Sequence, residues 1–171
     1  VCIYTGRITP DKSPHLLLEA IEILNRNNLN NFKGLFIGDG PQKYLSKFKQ
    51  NKNAVLLPFM HYKDLNIYYN MSNIGVWPMQ ESTSQLDALA AGLPIIITNK
   101  SGVAERAIES GLLYDHNSSQ DMSLQIKKIM DKNNYLKFSK KALTKTNEIY
   151  SWDKIARQYE IDYLNFLKIK K

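Results

Sequence analysis

The sequence predicts an α/β fold of three layers, with a mostly parallel sheet of about six strands between two layers of helix. Three observations carry that prediction. Short apolar, β-branched runs recur about 20 residues apart after the first interval, and helical patterns fill the gaps. The runs are apolar throughout and do not alternate, so both faces of the sheet are expected to be covered. Strand and helix in alternation imply parallel pairing through right-handed crossovers.

Taken in order, the expected strands are "VCIYT" (1–5), "GLFIG" (34–38), "AVLLP" (54–58), "IGVWP" (74–78), "PIIIT" (94–98) and a weak "LLY" (112–114). The clearest helix is 13–24, "SPHLLLEAIEIL", with Ser13 as N-cap and Pro14 at the first helical position. A second helix is expected from 82–83 to Ala91, because Ser82 and Gln85 have capping-box spacing. Gly92 and Pro94 then supply a stop. The core thus spans 1–116, and 117–171 reads as helices only. The last of these places Trp152, Ile155, Tyr159, Tyr163, Phe166 and Leu167 near one stripe. No internal repeat, low-complexity tract or linker divides the chain, so 1–171 reads as one domain.

At 171 residues, 43% apolar and 23% charged, the chain is large enough for a sizeable core and is not disordered in character. No apolar run approaches the roughly 20 residues of a membrane span. The chain opens on a strand-like run without an initiator Met, which suggests a piece of something longer. The single Cys2 excludes an internal disulfide and fits a reducing, cytoplasmic setting. His15, His61 and His116 are isolated and give no metal-ligand spacing. The net charge of +7 is uneven. Residues 1–131 carry 13 Lys/Arg against 12 Asp/Glu, whereas 132–171 carry 10 against 4. A basic tail of this kind suits either a solvated helical face or contact with an anionic membrane. No nucleic-acid-binding pattern accompanies it.

In parallel sheets the ligand lies outside the carboxyl ends of the strands. Five loops expected on that rim hold most of the unusual residues: Gly6–Arg7, "GDGP" (38–41), "FMHY" (59–62), "MQESTS" (79–84) and "NKSGVAE" (99–105). Arg7 and Lys12 bracket a tight loop before a helix start, as a diphosphate site requires; a solvated pair is the plainer alternative. "GDGP" lacks the third glycine of a dinucleotide fingerprint and reads as a tight turn, Gly38 and Gly40 keeping side chains out of a shared cleft. In the fourth loop Glu81, Ser82, Thr83 and Ser84 precede a helix whose positive end would face the ligand. Asp87, one and a half turns into the expected helix among Leu86, Ala88 and Leu89, is a poor helix former there and lacks an obvious partner.

"YTGRITPDKSPHLLLEAI", "LFIGDGPQKYL", and "DALAAGLPIIIT" followed by "GVAE" resemble, in order and spacing, the C-terminal domain of glycosyltransferase family four. These are retaining enzymes of the two-domain GT-B fold, whose C-terminal domain is Rossmann-like. The resemblance covers about residues 1–130, and the final helices fit the family's tail. It implies that this half binds a nucleoside diphosphate sugar as substrate, without a metal or other cofactor, while an N-terminal domain outside this chain binds the acceptor. Arg7 and Lys12 match the pair that neutralises the donor diphosphate. Asp87 matches the second motif glutamate, on the ribose hydroxyls, and Glu81 the first, near the transferred sugar. Phe59, Met60 and His61 fall where backbone groups meet the base. Gly6, Gly38, Gly40, Ser82, Thr83 and Ser84 complete the implied donor site.

The departures are specific. Glu81 and Asp87 have five residues between them where the family has seven, and the second acid is a methylene shorter. Ser82 and Ser84 stand where glycines are usual, and Ser13 replaces the glycine after the motif lysine. The expected activity is sugar transfer in bacterial surface-glycan synthesis, on the cytoplasmic side, at the inner face of the membrane. An epimerase or phosphorylase of the same fold, or a domain that binds nucleotide without transfer, are the alternatives.

Overall fold

A computed structural model describes residues 1–26, 31–79 and 81–169. Gln80 of the "MQESTS" loop, and Lys170 and Lys171 of the basic tail, lie outside the described residues. All six expected strands form: β1 (Cys2–Thr5), β2 (Gly34–Ile37), β3 (Ala54–Leu57), β4 (Ile74–Trp77), β5 (Ile95–Thr98) and β6 (Gly111–Tyr114). They make one sheet in the order β3-β2-β1-β4-β5-β6, and every pair is parallel. The order reverses between β1 and β4, so loops diverge there and leave a crevice. Helices α1 (His15–Arg26), α2 (Gln42–Lys49), α3 (Tyr62–Asn70) and α4 (Ser84–Ala90) connect strands, and α5 (Ser119–Ile129), α6 (Lys132–Lys145) and α7 (Trp152–Ile169) follow the sheet.

Burial follows the composition of the strands. β1, β4 and β5 are buried along their whole length, with Ile3, Tyr4, Val76, Trp77 and Ile96 without solvent contact. Losing a side chain such as Trp77 from this layer would cost about 3–5 kcal/mol. Its indole is tied as well as packed, since Nε1 donates to the Thr5 carbonyl at 3.0 Å. The expectation that both faces are covered fails at β3. It is an edge strand with one neighbour, and Val55 remains 49% exposed.

Two helix starts also differ from expectation. Ser13 does not cap α1. It adopts φ 50°, ψ 38° at the end of a 3₁₀ turn, Pro10–Lys12, and its hydroxyl donates back to the Pro10 carbonyl. The turn consumes the residue that would otherwise cap. α4 begins at Ser84, not at 82–83, and no capping box forms from Ser82: its Oγ accepts from the Ser84 amide at 3.2 Å, a local hydroxyl turn that competes with helix. Asp87 therefore sits in the first turn and not deep in the helix. The stop is as expected. Gly92 takes φ 72°, and the amides of Gly92 and Leu93 close onto Leu89 and Ala88 as in a Schellman end.

α1 packs against α5, and α4 against α6. α7 is different. Trp152, Tyr159, Tyr163, Phe166 and Leu167 keep more than half of their surface in solvent and Ile155 is half-buried, so the stripe read from the sequence faces largely outward.

Candidate functional site

A cleft of about 340 Å³ opens at the reversal point of the sheet. Thr5, Gly6 and Arg7 line it from the end of β1, and Ile37, Gly38 and Asp39 from the end of β2. Phe59 and Met60 after β3, Leu65 of α3, and Ser82 and Ser84 before α4 close the rest. The floor is strand-end backbone, which explains the glycines. A Cβ on Gly38 would lie 1.9 Å from the Gly6 carbonyl oxygen, and one on Gly40 would lie 1.9 Å from that of Ile8. Both glycines thus let the loops after β1 and β2 run in contact, a link sealed by the Ile8 amide donating to the Asp39 carbonyl at 2.8 Å. Gly40 does this from outside the cleft.

Arg7 is exposed at the cleft wall, and its guanidinium holds no ion pair among the described residues. Lys12 is on the following turn and lies 3.6 Å from Asp11, off the lining. Ser82 and Ser84, also on the lining, bring their hydroxyls together at 2.7 Å. Thr83 is exposed at the cap position and makes no side-chain cap. Phe59 is 70% exposed, an uncovered ring beside Met60. His61 is off the lining; it caps α3, its Nδ1 accepting from the Lys63 amide at 3.5 Å. Glu81 turns to the loop after β5, where Oε1 accepts from the Gly102 amide at 2.6 Å.

Two residues behind the lining, Asp87 and Tyr69, neither of them on the cleft wall, carry perturbed protons. Asp87 keeps much of its surface in solvent, yet partial burial pushes its carboxyl above the ordinary carboxylate range. Tyr69 of α3 is pushed up to about 12, chiefly by burial. The Thr5 hydroxyl bonded to it and the Ser84 hydroxyl beside it pull downward, while the charge of Asp87 pushes further up. Tyr69 Oη and Thr5 Oγ1 are 3.0 Å apart. Tyr69 thus stands between the end of β1 and the start of α4. Nothing in the sequence distinguished it from an ordinary core aromatic. Thr5 and Asp39 were legible only as polar residues at the ends of apolar runs. Among the described residues no group of three or more His, Cys, Asp or Glu could hold a metal ion. Nor is any described helix long and apolar enough to cross a membrane.

A crevice at the reversal point with one free arginine and a pair of hydroxyls is suited to an anionic ligand. The family described as "Glycosyl transferases group 1" matches residues 1–145. The chain belongs to that family. The lipopolysaccharide 1,2-N-acetylglucosaminetransferase of Salmonella typhimurium is 23% identical over 97% of this chain and 48% of its own length. The capsular polysaccharide biosynthesis glycosyltransferase CapM of Staphylococcus aureus is 28% identical over 75% of this chain and 36% of its own. The chain thus spans about half the length, or less, of these two relatives. Among solved structures, Anabaena HepE in complex with UDP superposes with a TM-score of 0.83 at 15% identity, over 96% of this chain and 48% of that one. The catalytic domain of cholesterol-α-glucosyltransferase from Helicobacter pylori gives 0.76 at 19%, over 88% of this chain and 98% of that one. At such identities the likeness is one of fold: a Rossmann-like domain of the GT-B type.

Proposed function

We propose that this glycosyl transferase group 1 chain binds the nucleoside diphosphate sugar of a retaining transfer reaction in the cleft between β1 and β4. The observation that carries the reading is that Arg7 and the Ser82–Ser84 hydroxyl pair line the same strand-end crevice. A diphosphate there would accept hydrogen bonds from both. Arg7, with Lys12 swinging from Asp11 on its four-carbon stem, would offset the charge that grows on the leaving diphosphate, an electrostatic contribution that is larger in a dry site. Phe59 and Met60 would face the base, and Asp87 would accept from the ribose hydroxyls. Glu81, engaged with Gly102, would contribute to the sugar end by holding its loop. With two cations and hydroxyl donors supplied by the protein, the diphosphate needs no metal in this reading.

The acceptor would be bound by a second domain beyond this chain. The exposed face of α7 supports that, because Trp152, Tyr159, Tyr163 and Leu167 on one helix are costly to leave in water. A surface polysaccharide or lipid-linked acceptor is the class suggested by the two relatives named for lipopolysaccharide and capsule. Lys132, Lys137 and Lys140 of α6 would favour an anionic membrane surface on the cytoplasmic side, whereas Lys141 and Lys145 are held by Glu109 and by the Glu105 and Ile108 carbonyls.

Calorimetric titration of UDP in the presence of EDTA tests the cradle. Binding is expected to persist, and Arg7→Ala and Lys12→Ala are each expected to weaken it by about 1.5–3 kcal/mol. Loss of binding in EDTA, or indifference to both substitutions, would defeat the reading.

A further inference from the structure

The loop that carries Ser82 and Ser84 is not held by a helix cap. It is bonded from the far side by Arg106, on the short helical turn Ala104–Arg106 after β5. Arg106 Nη1 donates to the Ser82 carbonyl at 3.0 Å and to Gln85 Oε1 at 2.9 Å. Gln85 is fully buried, so the guanidinium reaches a fixed point. The neighbouring contact from Glu81 Oε1 to the Gly102 amide ties the preceding residue to the same β5 loop. The loop is pinned at 81, 82 and 85, and inside those pins Ser82 Oγ accepts from the Ser84 amide and meets Ser84 Oγ.

Resting on the donor-site reading above, we propose that Arg106 is a positioning residue: it fixes the Ser82 carbonyl and Gln85 so that the Ser82–Ser84 hydroxyl pair is set toward the phosphate end of the cleft. Arg106 is not on the cleft lining and reaches it through its bond to Ser82. Its stability cost supports the assignment. Nε of Arg106 is buried with no partner among the described residues, and an unpaired buried N–H is unfavourable. An apolar residue at 106 would avoid that cost. What the arginine supplies in return is two donors from one nitrogen, spanning a carbonyl and an amide oxygen three residues apart.

Arg106→Met keeps the length of the side chain and removes both donors. In the ligand-free chain, hydrogen exchange at the Ser84 and Gln85 amides is expected to quicken about tenfold, with core amides of β4 and β5 unchanged. UDP, titrated as the probe, is expected to bind about tenfold more weakly, while uridine, which lacks phosphate, changes less than twofold. In a Ser82→Ala/Ser84→Ala background the same substitution should leave UDP binding unchanged, because the hydroxyls it positions are gone. Arg106→Lys should restore part of the affinity. Unaltered exchange at Ser84 and Gln85 would overturn the clamp whatever the ligand. Equal losses for UDP and uridine, or a full tenfold loss without the serines, would reduce Arg106 to a structural residue. Failure of the unsubstituted chain to bind UDP or any other nucleoside diphosphate would sink the donor-site reading instead, leaving the exchange result to decide on Arg106.

Discussion

The hydroxyl of Tyr69 meets that of Thr5 at 3.0 Å across 64 residues of sequence, at the point where the strand order of the sheet reverses. Both side chains are buried, so neither hydroxyl has water as a ready substitute. The Thr5 carbonyl is also occupied, by the Trp77 indole, which makes Thr5 a junction between β1, α3 and β4. Tyr69→Phe should destabilise the chain by about 1–3 kcal/mol, since it strands a buried hydroxyl. Thr5→Val should do the same from the other side. The double variant removes both partners, and its loss should fall short of the sum by about 1 kcal/mol or more. Urea unfolding of the four proteins measures this. Strictly additive losses would show that the pair does not interact.

Gly38 illustrates how the cleft floor is made. It has φ +150°, and a Cβ there would meet the Gly6 carbonyl oxygen at 1.9 Å, an approach that only backbone movement could relieve. Gly38→Ala should therefore cost about 3 kcal/mol or more, combining dihedral strain with a backbone clash. The loops after β1 and β2 must separate to accept it, so affinity for UDP should fall with stability. A variant that unfolds at the same urea concentration as the parent would contradict the packing described.

The strands and the end of α4 were legible because their causes are local: apolar β-branched runs, and a glycine with φ 72° followed by Pro94. The cation–hydroxyl rim was legible for the same reason, as polar residues at the ends of those runs. What could not be read has tertiary causes. The loop before α4 is bonded from a distance, Arg106 donating to the Ser82 carbonyl across 24 residues of sequence. Val55 is exposed because β3 happens to be the edge, which a strand's own sequence does not state. Tyr69 belongs to the site through a partner on another element. His61 and Glu81 were read through the family resemblance, and in the structure each accepts from a backbone amide, His61 from Lys63 nearby and Glu81 from Gly102 on the loop after β5.

Ser13 tests a departure from the family pattern. Its left-handed backbone accounts for the glycine usual there, and the serine keeps the shape with a hydroxyl bond to the Pro10 carbonyl at 2.9 Å. Ser13→Gly should change stability by less than about 0.5 kcal/mol, as relief of strain offsets the lost bond and the freer unfolded chain. Ser13→Val should cost about 2 kcal/mol, because a β-branched residue resists positive φ. Thermal unfolding of both variants decides it. A valine variant as stable as the glycine one would mean that the turn has no left-handed requirement.

Asp87 separates stability from binding. Partial burial raises its carboxyl above the ordinary value of 3.8 in the folded chain. A raised folded value means that the folded state holds the proton more tightly than the unfolded state. Asp87 therefore opposes folding at neutral pH, and that opposition fades as pH falls through the raised value. Asp87→Asn should accordingly be more stable than the parent at pH 7 and lose that advantage in acid. Binding should run the other way if the carboxylate accepts from the ribose hydroxyls. UDP affinity should fall as pH drops through the same window, and Asp87→Ala should lower it by about 1.5–3 kcal/mol at neutral pH. The 2′,3′-dideoxy analogue has no hydroxyls to lose, so Asp87→Ala should leave its affinity nearly unchanged. Titrating both ligands against both proteins, at neutral and acidic pH, measures each quantity. Equal losses for the two ligands would place Asp87 in the scaffold, and an asparagine variant no more stable at neutral pH would show that its burial carries no cost.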